Sequence, residues 1–250
     1  MHPKEKDMKQ AMIFAAGLGT RLKPLTDTMP KALVPIGGRP LLWHVIMKLK
    51  NAGYERIVVN VHHFADQIID YLKANNNFGL DIRISDEREQ LLETGGGIRK
   101  AAPLFDAHSP ILIHNVDILS NIDLADLYDK TQKTEALLLV SQRKTKRYLL
   151  FDEASRLVGW TNVETQEVKS PYPDLEVSKY RCLAFSGIHV FHPSLFARMD
   201  TYPNRFPIMD FYLQQCDREK IMGYEQTDLR LIDVGKLDTL DQAETFIKQI

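Results

Sequence analysis

Cysteine is nearly missing from this sequence. Only Cys182 and Cys216 occur in 250 residues, and they form no CxxC pair. Two cysteines are too few for a disulfide framework and point to a reduced compartment, so the expected location is the cytoplasm. Long apolar runs are missing as well. None approaches the ~20 residues of a membrane-spanning helix, which sets membrane insertion aside. The opening MHPKEKDMKQ lacks the apolar stretch of a secretory signal. Neither sign of charge is in excess: 32 Lys plus Arg stand against 33 Asp plus Glu. No basic surplus is left to neutralise a nucleic-acid backbone, so DNA and RNA are poor partners. Zinc-ligand spacing is absent too. Of eight histidines, His62 and His63 are adjacent, His189 and His192 fall on opposite faces of a strand, and no cysteine accompanies either pair. A GxSxG nucleophile elbow is also lacking, and Ser186-Gly187, inside a strand pattern, reads as a close-approach position.

What is present is ordinary globular composition, 44% hydrophobic and 26% charged. A chain of this length buries enough surface to fold without staples. Short apolar runs alternate with helical patterns. Strands are expected at Ala11–Ala15, Ile57–Val61, Leu80–Ser85, Pro110–Val116 and Ala136–Ser141, with helices at Leu41–Ala52, Ala65–Lys73 and Leu124–Lys133. A further short helix opens at Gly95–Gly97. This rhythm predicts an α/β fold with a doubly wound, mostly parallel (Rossmann-like) sheet, whose ligands bind beyond the carboxyl ends of the strands. The pattern then changes. Tyr148–Trp160 reads as a hairpin turning at Asp152–Ser155, and Tyr180–Phe191 as a long strand. Residues 145–200 are therefore expected to form a small β-rich insertion covering the site. Helices at Ile208–Arg218 and Leu237–Gln249 flank a strand at Leu229–Val234. The whole is expected to be a single domain over 1–250, with residues 1–10 flexible.

The first strand runs into Ala16-Gly17-Leu18-Gly19-Thr20-Arg21. Glycines here let backbone N–H groups approach phosphate oxygens. The dinucleotide fingerprint fails because position 22 is Leu, and the Walker loop fails because Thr20-Arg21 follows Gly19. The loop is basic instead, through Arg21, Lys23 and Lys31, which suits a triphosphate whose pyrophosphate must leave. The same residues also read as a solvated basic loop. Asp117 closes the fourth strand pattern with Asn115 on its face, and Asp233 sits at the end of a later apolar strand before Gly235. Each Asp alone reads as a strand-end cap. Together, beside a phosphate loop, they suit magnesium, which favours one or two carboxylates plus phosphate oxygens. Glu93-Thr94-Gly95-Gly96-Gly97 reads either as a base-recognition loop or as a flexible helix start.

The stretch AAGLGTRLKPLTDTMPKALVPIGGRPLL (Ala15–Leu42) resembles the signature of the sugar-1-phosphate nucleotidyltransferases. The resemblance continues through LETGGGI, NVD, LLFDEASRLVGW, FSGIHVFHP and DVGKLDTLDQAE. It implies a nucleoside triphosphate and a sugar 1-phosphate as partners and Mg2+ (Mn2+ as a substitute) as cofactor. Residue by residue, it implies that Gly17, Gly19, Thr20 and Arg21 hold the triphosphate, with Arg21 and Lys31 as the catalytic cations. It puts Ala15, Ala16, Thr94 and Gly95 around the base, Asp117 and Asp233 on the metal, and Asn115, Gly187 and Lys169 at the sugar phosphate. Val116 departs from a common Gly, and Val168-Lys169-Ser170-Pro171 follows the family's Glu-Lys-Pro element only loosely. The end at Ile250 leaves no room for the acyltransferase domain that some relatives carry. The ETGGG loop and short insert resemble most the members that use N-acetylmuramic acid 1-phosphate.

Uridine triphosphate is the expected donor. Uracil's edge of carbonyl, N–H and carbonyl needs donors flanking an acceptor, which backbone groups of Ala15–Gly17 and Thr94–Gly96 can offer. The alternatives are a guanylyl- or cytidylyltransferase acting on a hexose or heptose 1-phosphate, and a non-catalytic nucleotide-sugar sensor. Nothing in the sequence sets the oligomeric state.

Overall fold

The computed structural model describes residues 8–131 and 133–250. Strand β1 (Gln10–Phe14) passes through three single helical turns and a two-residue ribbon, β2 (Pro35–Ile36) on β3 (Arg39–Pro40), into α1 (Leu41–Asn51). The next elements are β4 (Arg56–Val61), α2 (Ala65–Ala74), β5 (Asp81–Asp86), α3 (Glu93–Ala101) and β6 (Ile111–Asn115). Then come β7 (Ile118–Ser120), α4 (Leu124–Asp129), β8 (Ala136–Ser141), β9 (Arg147–Phe151), β10 (Leu157–Asn162), β11 (Glu167–Lys169) and β12 (Arg181–Phe191). The chain finishes with α5 (Ile208–Gln215), β13 (Ile221–Glu225), β14 (Leu231–Asp233) and α6 (Leu240–Phe246).

Strands β6, β1, β4 and β5 lie side by side and parallel. Their side chains alternate between two apolar layers, as a pleat covered on both faces requires. Ala11 and Ile13 of β1 join the layer under α1 and α2, while Met12 joins the layer under α3 and α5. The larger of these side chains, such as Ile13 and Met12, each contribute about 1.5–3 kcal/mol once fully buried. The chain winds from β1 outward to β4 and β5, then crosses back to β6 on the other side of β1. The switch point between β1 and β6 opens a crevice at their carboxyl ends.

Beyond β6 the sheet becomes mixed. β12 runs antiparallel to β6 and β8, and β13 runs parallel to β8. The first part of β12 pairs instead with β9, from which β10 and β11 continue the sheet outward. The doubly wound core thus forms as the sequence predicts, and the hairpin turn at Asp152–Ser155 forms too. Several boundaries differ. Gln10 already belongs to β1, fully buried, its side-chain amide donating to Asp106 O (2.9 Å) and Ser109 O (2.7 Å). The expected flexible segment therefore stops short of residue 10, and residues 1–7 lie outside the described residues. α4 ends at Asp129, not Lys133. β13 has no counterpart in the sequence reading because Gly223 breaks its apolar pattern. That glycine is what the fold needs, since a Cβ there would lie 2.8 Å from the Phe151 ring. Among the described residues, no helix is long and apolar enough to cross a membrane.

Candidate active site

A cleft of about 250 Å³ occupies the switch-point crevice, between Ala15–Gly17 after β1 and Asn115–Asp117 after β6. Lys31 reaches it from the third helical turn. Gly19 starts the first turn at φ +63°, and a Cβ there would meet Thr26 Cγ2 at 2.9 Å and Lys31 Cβ at 3.0 Å. Glycine at this position thus lets the loop fold onto the root of Lys31. The Thr26 hydroxyl donates to Gly19 O (2.8 Å) and fixes the turn. Gly17 has open space where a Cβ would stand, so its backbone faces the cleft bare. Thr20 and Arg21 lie on the exposed rim.

The sequence reading placed Asp117 on an extended strand with Asn115. The structure instead ends β6 at Asn115 and turns the chain at Val116-Asp117 into β7. The turn occurs because β7 leaves the main sheet to pair with β14. That ladder brings the two acids together: Asp233 is in register with Ile118, and the Val234 N–H donates to Asp117 O at 2.8 Å. Lys31 forms an ion pair with Asp117. Gly235 closes the group from below, where a Cβ would lie 2.6 Å from Asp233 Oδ1 and 2.7 Å from Arg21 Nη2. Burial, and then the charge of Asp117, push the Asp233 carboxyl above its ordinary range, while Lys31, Arg21 and Arg143 pull it back. Two carboxylates facing two cations form the electrostatic centre of the crevice. Its donor set is hard oxygen, the kind magnesium accepts alongside phosphate oxygens.

The base side differs from expectation. Ala15 N–H and Ala16 N–H both donate to Asn60 Oδ1, at 2.7 and 3.2 Å. Gly95 N–H and Gly96 N–H both donate to Phe206 O, at 2.8 and 3.2 Å. Four of the donors offered to a base edge are therefore already engaged. The Thr94 hydroxyl accepts from Ile208 N–H (2.8 Å), which leaves its own hydrogen free to donate into the cleft. The glycine triplet is a packing seam. A Cβ at Gly95 would lie 2.3 Å from the Phe206 ring, one at Gly96 2.3 Å from Asn204 O, and one at Gly97 2.9 Å from Glu87 Oε1.

Asn60 and Glu87 were missed. Asn60 is the next-to-last residue of β4, and that lone polar residue in IVVNV is the available signal. Its amide donates to Glu87 Oε1 (2.8 Å), and Glu87 Oε2 accepts from Leu92 N–H (3.1 Å). Glu87 is wholly buried. The pair ties the phosphate-loop strand to the segment leading into α3.

Asn115 and Gly187 are brought together as expected. At φ +75°, Gly187 sits in the β12 bulge with its missing Cβ 3.0 Å from Asn115 Nδ2. Lys169 is not brought in. It lies on β11 over the Trp160 ring, 3.9 Å from Asp210, and lines a separate polar cleft with Tyr202 and Asp210. β11 is the outer strand of the β9–β11 arm, and that edge position carries Lys169 away from the crevice.

Comparison with known proteins gives the family of the chain. The Nucleotidyl transferase family profile matches residues 10–250. The N-acetylmuramate alpha-1-phosphate uridylyltransferase of Neisseria meningitidis is 32% identical over 238 residues, 94% of this chain and 96% of that protein. The enzyme of the same name from Caulobacter vibrioides is 50% identical over 111 residues, 44% of this chain and 46% of that protein. Among solved structures, a putative glucose-1-phosphate thymidylyltransferase from Bacillus anthracis superposes with a TM-score of 0.79 at 17% identity, covering 97% of this chain and 96% of that one. The cleft, its basic loop and its paired acids belong to an enzyme, and the chain is a member of the nucleotidyl transferase family.

Proposed function

We propose that this enzyme transfers uridine monophosphate from UTP to N-acetylmuramic acid 1-phosphate, releasing pyrophosphate, with magnesium as cofactor and manganese able to replace it. The observation that carries the reading is the grouping of Arg21, Lys31, Asp117 and Asp233 around one crevice. The similarity to uridylyltransferases of that acceptor over nearly the whole chain supports the substrates. Nucleoside triphosphates and reduced cysteines both suit the cytoplasm.

In the reaction, an oxygen of the sugar phosphate bonds to the α-phosphorus while the α–β bridging bond breaks, and the electron pair leaves with pyrophosphate. The nucleophile is already largely ionised, because a phosphate monoester loses its second proton near pH ~6. No general base is needed. The work of the protein is to align two anions and stabilise the leaving charge. Arg21 and Lys31 supply positive charge at the phosphates. Asp117 and Asp233 would hold the magnesium, which supplies further charge neutralisation when bound.

The test is coupled detection of pyrophosphate, with UTP and GTP in competition over a panel of sugar 1-phosphates. UTP with N-acetylmuramic acid 1-phosphate is the expected best pair, and dominance of GTP with mannose 1-phosphate overturns it. In the same assay, Asp117→Ala or Asp233→Ala lowers turnover by roughly a hundredfold or more. Near-normal turnover of both variants, or of the enzyme in chelator, removes the metal assignment.

A further inference from the structure

The loop after β8 and the first residue of β9 read Gln142-Arg143-Lys144-Thr145-Lys146-Arg147, four cations in six residues. Among the described residues, only Lys146 of these four has a carboxylate partner, Glu164 at 2.8 Å. Arg143 is anchored differently. Its Nη2 donates to Phe185 O at 2.9 Å, on the bulge whose Gly187 abuts Asn115. One hydrogen bond of five possible is used, so most of the guanidinium fork remains available.

A polar cleft of about 940 Å³ opens beside this arginine, lined also by Ser141, Gln142, Arg181, Tyr224 and Leu231. Asp233 stands two residues beyond Leu231 on β14, hence on the same face of that strand. Leu231 thus sets the cleft beside β14, the strand that ends at Asp233. The second arginine in it, Arg181, is already paired with Glu225, which also accepts from Gln142. Among the described residues, Arg143 has no carboxylate within ion-pair distance. A neutral sugar gives it nothing to do, and on the proposed reading Arg21 and Lys31 already supply positive charge at the phosphates. A planar fork with free donors matches a carboxylate, which it can hold by two parallel hydrogen bonds.

We propose that Arg143 reads a second anionic group on the acceptor sugar, the carboxylate of a carboxylated sugar 1-phosphate. The inference rests on the acceptor reading given above and names the residue that makes it selective. Arg143 is a specificity residue, away from the transferring phosphorus.

The test compares three acceptors with UTP: N-acetylmuramic acid 1-phosphate, N-acetylglucosamine 1-phosphate, which lacks the lactyl carboxylate, and glucose 1,6-bisphosphate. The unmodified enzyme is expected to favour the first over the second in kcat/KM. Arg143→Gln should shrink that preference by about 10- to 100-fold, mainly through KM. Arg143→Lys, which keeps charge without the fork, should restore part of it. A preference that Arg143→Gln leaves within about twofold overturns the proposal, whatever the absolute rates. An advantage for glucose 1,6-bisphosphate that Arg143→Gln abolishes overturns the carboxylate and puts a phosphate in its place. Titration calorimetry with the same acceptors reads the same ratio without turnover. A chain that transfers no nucleotide would refute the activity proposed above, yet calorimetry would still decide the role of Arg143.

Discussion

At the residue scale, function and folding separate most cleanly at Arg21. It lies on the exposed rim of the loop, and among the described residues it has no carboxylate within ion-pair distance. Such a cation contributes little to stability. Arg21→Ala should therefore lose most activity while the melting temperature stays within about a degree, and a variant that melts early but works would show a structural role. Glu87 is the opposite case. Its buried carboxylate accepts from Asn60 and Leu92, and Asn60 in turn holds Ala15 and Ala16. Glu87→Gln can set an amide N–H against one of those donors, at a cost of about 1–3 kcal/mol. For a chain of this size that lowers the melting temperature by roughly 2–10 °C. The KM for nucleotide should rise with it, because the strand-to-loop junction loses its anchor. Unchanged melting and unchanged KM would show that the pair does not hold the loop.

At the scale of elements, the glycine triplet on α3 shows how a motif can be visible while its role is not. Gly96 faces the backbone oxygen of Asn204, which cannot rotate away as a side chain can. Gly96→Ala should cost about 1–3 kcal/mol of overpacking and loosen the 204–206 segment on α3. Thermal melting checks the cost, and hydrogen exchange at Gly95 and Gly96 reports whether their bonds to Phe206 open. Full stability would contradict the close approach. The parallel core is legible in the sequence alone, because continuous apolar strands and helix-period segments carry their signals locally. The glycine-rich basic loop at the crevice is legible for the same reason, its glycines and cations being contiguous. What stayed hidden depends on contacts distant in sequence. The pairing of β7 with β14 moves Asp117 into a turn, Phe206 takes the donors of Gly95 and Gly96, and an edge position takes Lys169 away.

For the molecule as a whole, acid should be the weak side. His189 is buried between Phe185 and Tyr212, and neither ring nitrogen has a partner among the described residues. Burial pushes it down to about 3, against an ordinary 6.5. His114, also fully buried, is pushed down to about 4, again mainly by burial. The unfolded chain takes up these protons near pH 6.5 while the folded chain resists until pH 3–4. Unfolding therefore absorbs protons throughout that window, and stability falls as pH drops through it. Each histidine contributes up to about 1.4 kcal/mol per pH unit. His189→Phe, close in size and free of the orphaned nitrogens, should melt no lower at pH 7.5 and lose less on going to pH 5. An equal or steeper loss in the variant would refute the assignment. The ladder of β7 and β14 has a consequence in time as well as in space. Asp117 and Asp233 are separated by nearly half the chain, so a ribosome releases the basic loop and the parallel core well before the second acid exists. On the proposed metal assignment, a nascent chain therefore carries Asp117 for much of its synthesis without the acid that completes the pair.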